Sequence, residues 1–353
     1  MYHCKKCGKE MYYDSICGEC GEKMQEVAFV LQPQELLLHL QDIGNYKEPV
    51  YEQCRMALRL GLLDMEQMAQ AAVKQKVYDV PELFYHASEE VENALLTALE
   101  QIEEPYEGAD LLCCLAMCGG ERSLEALQEL EQNPKPWQEQ LYATPSVYAQ
   151  YGGWTFDKVG NRQTLFFANC VSMEKDGDKK AGQIAKARED ICPHCGGKYV
   201  DMLVLNGKEE SLRFLGVDGV ITATCCPSCV AYQMPAYSRF TLQGDSKPIP
   251  NAEGNDYAFA PEEYENFINN TYGIVEKPKS VFYGAFAEYC NTVGGFANWV
   301  DDFWYPKCPD CGKPMTYLAQ IQWDTLEDDM AEGTLYIHIC KHCHVAAMHH
   351  QQT

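Results

Sequence analysis

Among the 19 cysteines of this 353-residue chain, twelve fall into six C-x-x-C pairs, the residue pattern with the most definite chemistry. The pairs are Cys4 with Cys7, Cys17 with Cys20, Cys192 with Cys195, Cys226 with Cys229, Cys308 with Cys311, and Cys340 with Cys343. Two thiolates at this spacing chelate one ion, and a second pair completes a tetrahedral shell. Gly8, Gly21, Gly196 and Gly312 each follow a second cysteine, where the backbone of a tight knuckle takes positive φ. Pro193, Pro227 and Pro309 follow a first cysteine and pre-set the turn. The expectation is three structural zinc ions, each held by four cysteines, although iron satisfies the same thiolate shell.

A full cysteine shell leaves no open position for water, so metal-assisted hydrolysis finds no ligand set. No H-E-x-x-H, G-x-S-x-G, phosphate loop or dinucleotide fingerprint occurs, and no catalytic residue is assigned. Cys192-Pro193-His194-Cys195 matches an oxidising thiol motif, but that chemistry needs a helix starting at the motif, and Gly196-Gly197 follow instead. Cys340-Lys341-His342-Cys343-His344 matches a haem-attachment pattern, yet a partner pair upstream accounts for its thiols. The acidic runs Asp301-Asp302 and Glu327-Asp328-Asp329 read as solvated loop carboxylates. His338, His342, His344, His349 and His350 read as a histidine-rich exposed tail, with a further metal site as the alternative. The remaining cysteines, such as Cys54, Cys114 and Cys170, sit in apolar stretches and read as small core residues.

The elements that position these residues change in character along the chain. Residues 1–26 form a minimal ribbon around the first two pairs. From 27 to 143 helical periodicity takes over, at 50–63, 91–99 and 109–130. The last of these breaks at Gly119-Gly120 and resumes with Ser123 as the expected cap, giving a helical hairpin of a HEAT-like repeat or a plain bundle. From 144 onward, aromatic and β-branched residues with frequent Gly and Pro predict a mainly-β domain, with strands at 165–167, 199–205, 220–224, 315–323 and 334–339. A short helix is expected near 261–270. The fold class is therefore α+β and multidomain: ribbon, helical region, and β domain with zinc knuckles.

The β block repeats itself. In both halves a C-P-x-C-G knuckle leads into a strand, a glycine-bearing loop, a second strand and another cysteine pair. This gives modules at 144–244 and 294–353 joined by a connecting stretch at 245–293. Gly152-Gly153-Trp154 and Gly294-Gly295-Phe296 supply an upstream marker to each. A hairpin between two pairs folds back on itself and gathers all four sulfurs at its base.

Charge narrows the partners. The formal net charge is −24, which repels phosphate backbones and anionic lipid, and no basic stripe offsets it. Nucleic-acid and membrane binding are not expected, whereas a basic protein partner suits the surface. No apolar run approaches the roughly 18 residues of a membrane helix, and the start of the chain lacks signal-peptide character, so the expected compartment is the cytoplasm. Trp154, Trp299 and Trp304 are the candidate partner-binding aromatics, the latter two within a concentration running from Phe296 to Tyr305.

The run Gly294-Gly295-Phe296-Ala297-Asn298-Trp299-Val300, the knuckle from Pro306 to Ile321, and Gly333-Thr334-Leu335-Tyr336-Ile337-His338-Ile339-Cys340 resemble the C-terminal motif of the bacterial YwqG family. That family is related to the eukaryotic programmed cell death 2 proteins and to a yeast ribosome-assembly factor. The resemblance implies a duplicated β-rich fold and protein binding, since eukaryotic members chaperone a nascent ribosomal protein. It covers none of the helical region, and Asp301 and Asp302 stand where family members often carry glutamine. A non-enzymatic chaperone or adaptor is the first functional expectation, an immunity protein neutralising a toxin the second, and an uncharacterised enzyme the third.

Overall fold

The computed structural model describes residues 31–286, 290–326 and 332–352, together with three short strands near the start: β1 (Tyr2–His3), β2 (Glu10–Met11) and β3 (Gln25–Glu26). These three pair antiparallel in the order β2-β1-β3. Cys4, Cys7, Cys17 and Cys20 of the expected ribbon lie outside the described residues, as do Glu327, Asp328 and Asp329. The chain divides into two compact units, Met1–Leu165 and Phe166–Thr353. Among the described residues no helix is long and apolar enough to cross a membrane.

Helices build the first unit: α1 (Leu40–Gly44), α2 (Val50–Leu60), α3 (Met65–Gln75), α4 (Glu89–Leu99), α5 (Pro105–Cys118), α6 (Glu121–Gln132) and α7 (Pro145–Ala149). Local chemistry sets their ends. The Asp64 carboxylate accepts from Gln67 N at 3.1 Å to cap α3, and Gly119, at φ 60°, stops α5 in the left-handed conformation. Ser123 is not the cap of α6; that position is Gly120. Ser123 is instead fully buried, and its backbone N–H and hydroxyl both donate to the Glu92 carboxylate of α4. A neighbouring helix thus satisfies one of the orphan donors of α6.

A hairpin of β4 (Trp154–Phe156) and β5 (Arg162–Thr164) closes this unit. Residues 144–165, grouped by sequence texture with the β block, pack here because Trp154 is fully buried and donates from Nε1 to Ala116 O of α5 at 2.7 Å. Gly152 permits that approach, since a Cβ there would stand 2.0 Å from the same carbonyl. Leu165, Phe166 and Phe167 are buried as expected but irregular rather than a strand.

The second unit holds one 11-stranded sheet. Its strands are β6 (Cys170–Glu174), β7 (Asp178–Ile191), β8 (Lys198–Asn206), β9 (Val220–Cys225), β10 (Ala236–Phe240), β11 (Ser246–Ile249), β12 (Gly273–Ile274), β13 (Asn291–Gly294), β14 (Thr316–Gln322), β15 (Thr334–Cys340) and β16 (Val345–Gln351). Two short helices accompany them, α8 (Pro227–Val230) and α9 (Pro261–Asn269). Neighbours pair antiparallel in the order β11-β10-β16-β15-β14-β13-β6-β12-β7-β8-β9. The sheet curls until β9 returns to β10, where Val220 N donates to Leu242 O and Thr224 N to Ser238 Oγ, at 2.9 and 3.1 Å. Alternation sends Leu203, Leu205, Ile321, Leu335, Ile337 and Met348 into one apolar core.

The two cysteine-bearing hairpins share a register. Val200 pairs with Cys225 in β8–β9, and Thr316 with Ile339 in β14–β15; each first residue lies five positions past a knuckle cysteine, and each partner immediately precedes the next cysteine pair. Each ladder then slips by one residue at the same place, between Asp201 and Leu203 and between Tyr317 and Ala319. The adjoining strands also correspond. Gln183 and Thr292 pair with matching positions, Val204 and Gln320, and two residues further on Ala185 and Gly294 both take positive φ, 59° and 72°. Gly294 therefore corresponds in register to Ala185 and not to Gly152, which lies in the other unit.

Candidate metal centres

Each hairpin delivers four sulfurs to one point. Cys192, Cys195, Cys226 and Cys229 form one group and Cys308, Cys311, Cys340 and Cys343 another, with all ligand atoms of a group within 4.8 Å of one another. Sulfur–sulfur separations of 3.5 Å (Cys195 to Cys226), 3.9 Å (Cys192 to Cys229) and 3.8 Å (Cys311 to Cys340) far exceed a disulfide bond. They match the edge of about 3.8 Å that a tetrahedron with metal–sulfur bonds of about 2.3 Å requires. The donor set fits a thiophilic ion, and these groups could hold metal.

The knuckles are built alike. Gly196 N donates to Cys192 O and Gly312 N to Cys308 O, both at 2.9 Å, while Cys192 N donates to Gly197 O at 2.7 Å and Cys308 N to Lys313 O at 2.8 Å. Gly196 and Gly312 sit at φ 78° and 70°, with open space where a side chain would be, so the positive φ alone calls for glycine.

Crowded thiols cannot all ionise without a cation. Burial raises the Cys192 thiol, but backbone N–H groups of Cys195 and His194 outweigh it and bring the thiol below its usual range. Cys311 is lowered chiefly by the Lys313 N–H. Burial, then the neighbouring sulfurs, push Cys226 up, and burial lifts Cys229 to about 12. Cys340 and Cys343 are likewise raised, first by burial. One thiolate in each group forms readily and opposes the rest, and a divalent cation removes that opposition.

The groups differ in cover. Cys192, Cys226 and Cys229 are buried beneath the connecting stretch: Gln233 Nε2 donates to Glu253 O at 2.7 Å, and Phe259 N donates to Ser228 Oγ at 2.9 Å. Asn255 N–H points at the Cys229 sulfur. In the second group Cys311 is exposed, and Cys340 and Cys343 are half-buried. That knuckle is braced instead by β10, where the Arg239 guanidinium forms a two-pronged pair with Asp310 and Tyr237 OH donates to Lys307 O at 2.8 Å. Neither brace was marked in the sequence, because β10 and the knuckle are some seventy residues apart in the chain.

The histidine-rich C-terminus is not an exposed tail. It is β16, paired on both sides, with His349 fully buried and His350 nearly so; His338 is fully buried on β15, and His342, on the turn between the two strands, is exposed. Among the described residues the ring nitrogens of His338 and His349 have no hydrogen-bond partner. Desolvation holds both imidazoles neutral, well below the usual range for His338 and at about 3 for His349. His344 packs beside Phe240 rather than joining the sulfurs, with ring centres 5.5 Å apart.

Trp299 and Trp304 cover these imidazoles. Trp299 stacks over Tyr336, His338 and His349, with 4.5 Å between its ring centre and that of Tyr336, while Trp304 meets His349 edge-on at 4.7 Å. Their segment is strapped to the sheet face: Asn298 N donates to Gln320 Oε1, Val300 N to Tyr336 OH, and Gln351 Nε2 to Asp302 O. Both tryptophans are half-buried in this aromatic layer. Trp154 lies in the other unit with no exposed surface to offer a partner, so burial removes it from the candidate aromatics. The exposed Asp301 and Asp302 sit on the loop beside Trp299.

What fold and donors define is a mixed α+β protein with a large antiparallel sheet and two four-cysteine, metal-competent groups. No family model and no solved structure matches the chain. It is 29% identical over 278 residues to an uncharacterised protein, YpfL, of Salmonella typhimurium, a match covering 76% of this chain and 64% of the relative's length. The chain thus spans less than two thirds of the relative.

Proposed function

We propose that this is a non-enzymatic, zinc-stabilised protein-binding protein, acting as a chaperone or adaptor in the manner the YwqG resemblance implies. The observation that carries the reading is the closed donor set: four sulfurs at tetrahedral spacing at the base of each hairpin, leaving no protein-free corner for a substrate or water. Zinc there cross-links strand ends that are far apart in sequence and holds a surface in shape. The common register, common ladder slip and paired positive-φ residues of the two hairpins support one module used twice, which is the architecture the resemblance implies. The formal net charge of −24 favours a basic partner.

Metal quantification on protein purified without added zinc tests the metal half of this reading. Zinc at three ions per chain is expected, the third in the ribbon cysteines; iron in its place, or metal-free folded protein, defeats it. Crosslinked pull-down from the native host tests the other half. A basic partner is expected, and recovery of nothing above background counts against binding.

A further inference from the structure

The aromatic layer at Trp299 and Trp304 is packed onto the sheet, whereas an open groove lies elsewhere in the same unit. It has a volume of about 410 Å³ and runs between the end of β7, the first cysteine knuckle and α9. That size falls within the roughly 300–1,000 Å³ of ligand-binding clefts. Its floor is apolar, formed by Ile191, Pro227, Phe259, Tyr264 and Ile268, and Ile191 keeps 52% of its surface exposed with no core to enter.

The wall is a strand edge. β12 pairs with β7 at Asp178 and Gln183; beyond Lys186 no strand other than β8 pairs with β7 among the described residues, and α9 packs alongside. On the open side the backbone of Arg188 is held by a single side chain: its N–H donates to Tyr264 OH at 3.2 Å, and its carbonyl accepts from that hydroxyl at 3.3 Å. An extended chain lying along such an edge sends alternate side chains inward and outward.

Charge selects what those side chains are. Two of the nearby cations are neutralised by the groove's own wall: Lys198 pairs with Glu189 at 2.9 Å, and Arg188 pairs with Asp190 and Asp201. Acidic residues follow: Glu265 lines the groove, exposed Glu262 lies one turn before it on α9, and exposed Asp256 stands two residues before Ala258 of the lining. We propose that this groove docks an extended segment of the partner protein in which apolar residues facing the floor alternate with lysine or arginine facing the rim. The proposal rests on the partner-binding reading above and gives that reading a location.

The test is selection of a phage-displayed random peptide library on the full-length, metal-loaded chain, followed by fluorescence anisotropy with the winning peptide. Two variants carry the decision: E262K with E265K on the exposed face of α9, and I191D at the exposed end of β7. Circular dichroism confirms that each still folds. Enrichment of alternating apolar and basic residues is expected, with Kd weakened about tenfold or more by each variant. A library that yields no binder, or acidic ones, overturns the groove. So does binding that both variants leave unchanged; if W304A abolishes it instead, the partner-binding reading survives at another site. The reading itself fails on the empty host pull-down, which is a separate result.

Discussion

His349 shows how a single side chain can carry a stability signature. It is polar, fully buried, stacked in parallel with both Trp299 and Tyr336, and held neutral by desolvation at about 3. An imidazole that stays neutral in the folded chain binds fewer protons than the same group unfolded, so unfolding takes up protons below pH 6.5. Stability contributed by this burial is therefore complete above pH 6.5 and declines as pH falls toward about 3. The slope is bounded by roughly 1.4 kcal/mol per pH unit for each such histidine. His349→Phe keeps the stacking and removes the proton uptake, so urea midpoints of the variant should fall less steeply with acidification than those of the wild type. Parallel curves would remove the effect. Because acid loss of metal is common to both proteins, the comparison isolates the ring.

At the level of elements, two hairpins with one register end in two unequal sulfur groups. The connecting stretch lies over Cys192, Cys226 and Cys229, with Gly254 so close that a Cβ there would stand 2.9 Å from the Cys229 sulfur. Nothing comparable lies over Cys311 among the described residues, and that side chain is exposed. Reagent access follows cover: alkylation of the metal-loaded chain, mapped by mass spectrometry at short times under limiting chelator, should label Cys311, Cys340 and Cys343 before Cys226 and Cys229. The opposite order would mean that the connecting stretch opens faster than the exposed knuckle releases metal. The same level explains why β7 was missed. Its sequence, from Asp178 to Ile191, alternates poorly and is rich in charge, and only pairing with β8 and β12 makes it a strand.

In the whole molecule, metal held by the two sulfur groups would add its binding energy to the folding energy of the second unit, while the helices of the first unit close over their own apolar residues such as Leu36, Leu83 and Leu115. Chelator with mild denaturant should accordingly collapse the β signal of the second unit while most of the helical circular-dichroism signal persists. Unchanged melting after verified metal removal would show that the sheet holds without its ions.

The metal groups were legible because their information is local: a knuckle is set by four or five consecutive residues, and the strands between the pairs carry their own alternation at Leu335, Ile337 and Ile339. The helical stretches were legible for the same reason, their apolar period surviving in α2, α4, α5 and α6. What tertiary structure alone decided is whatever depends on a distant neighbour. The run from Val345 to Gln351 ends in His349-His350-Gln351, polar residues that by themselves favour solvent, and they are buried because β10 and β15 flank the strand on both edges. Ser123 cedes its capping role because Glu92 arrives from another helix. Trp154 is taken out of any interface because α5 presents a carbonyl to its indole. By itself the sequence determined which sulfurs meet in the two described groups; how deeply each group is covered, and where an apolar floor is left open, came from packing that no local pattern encodes.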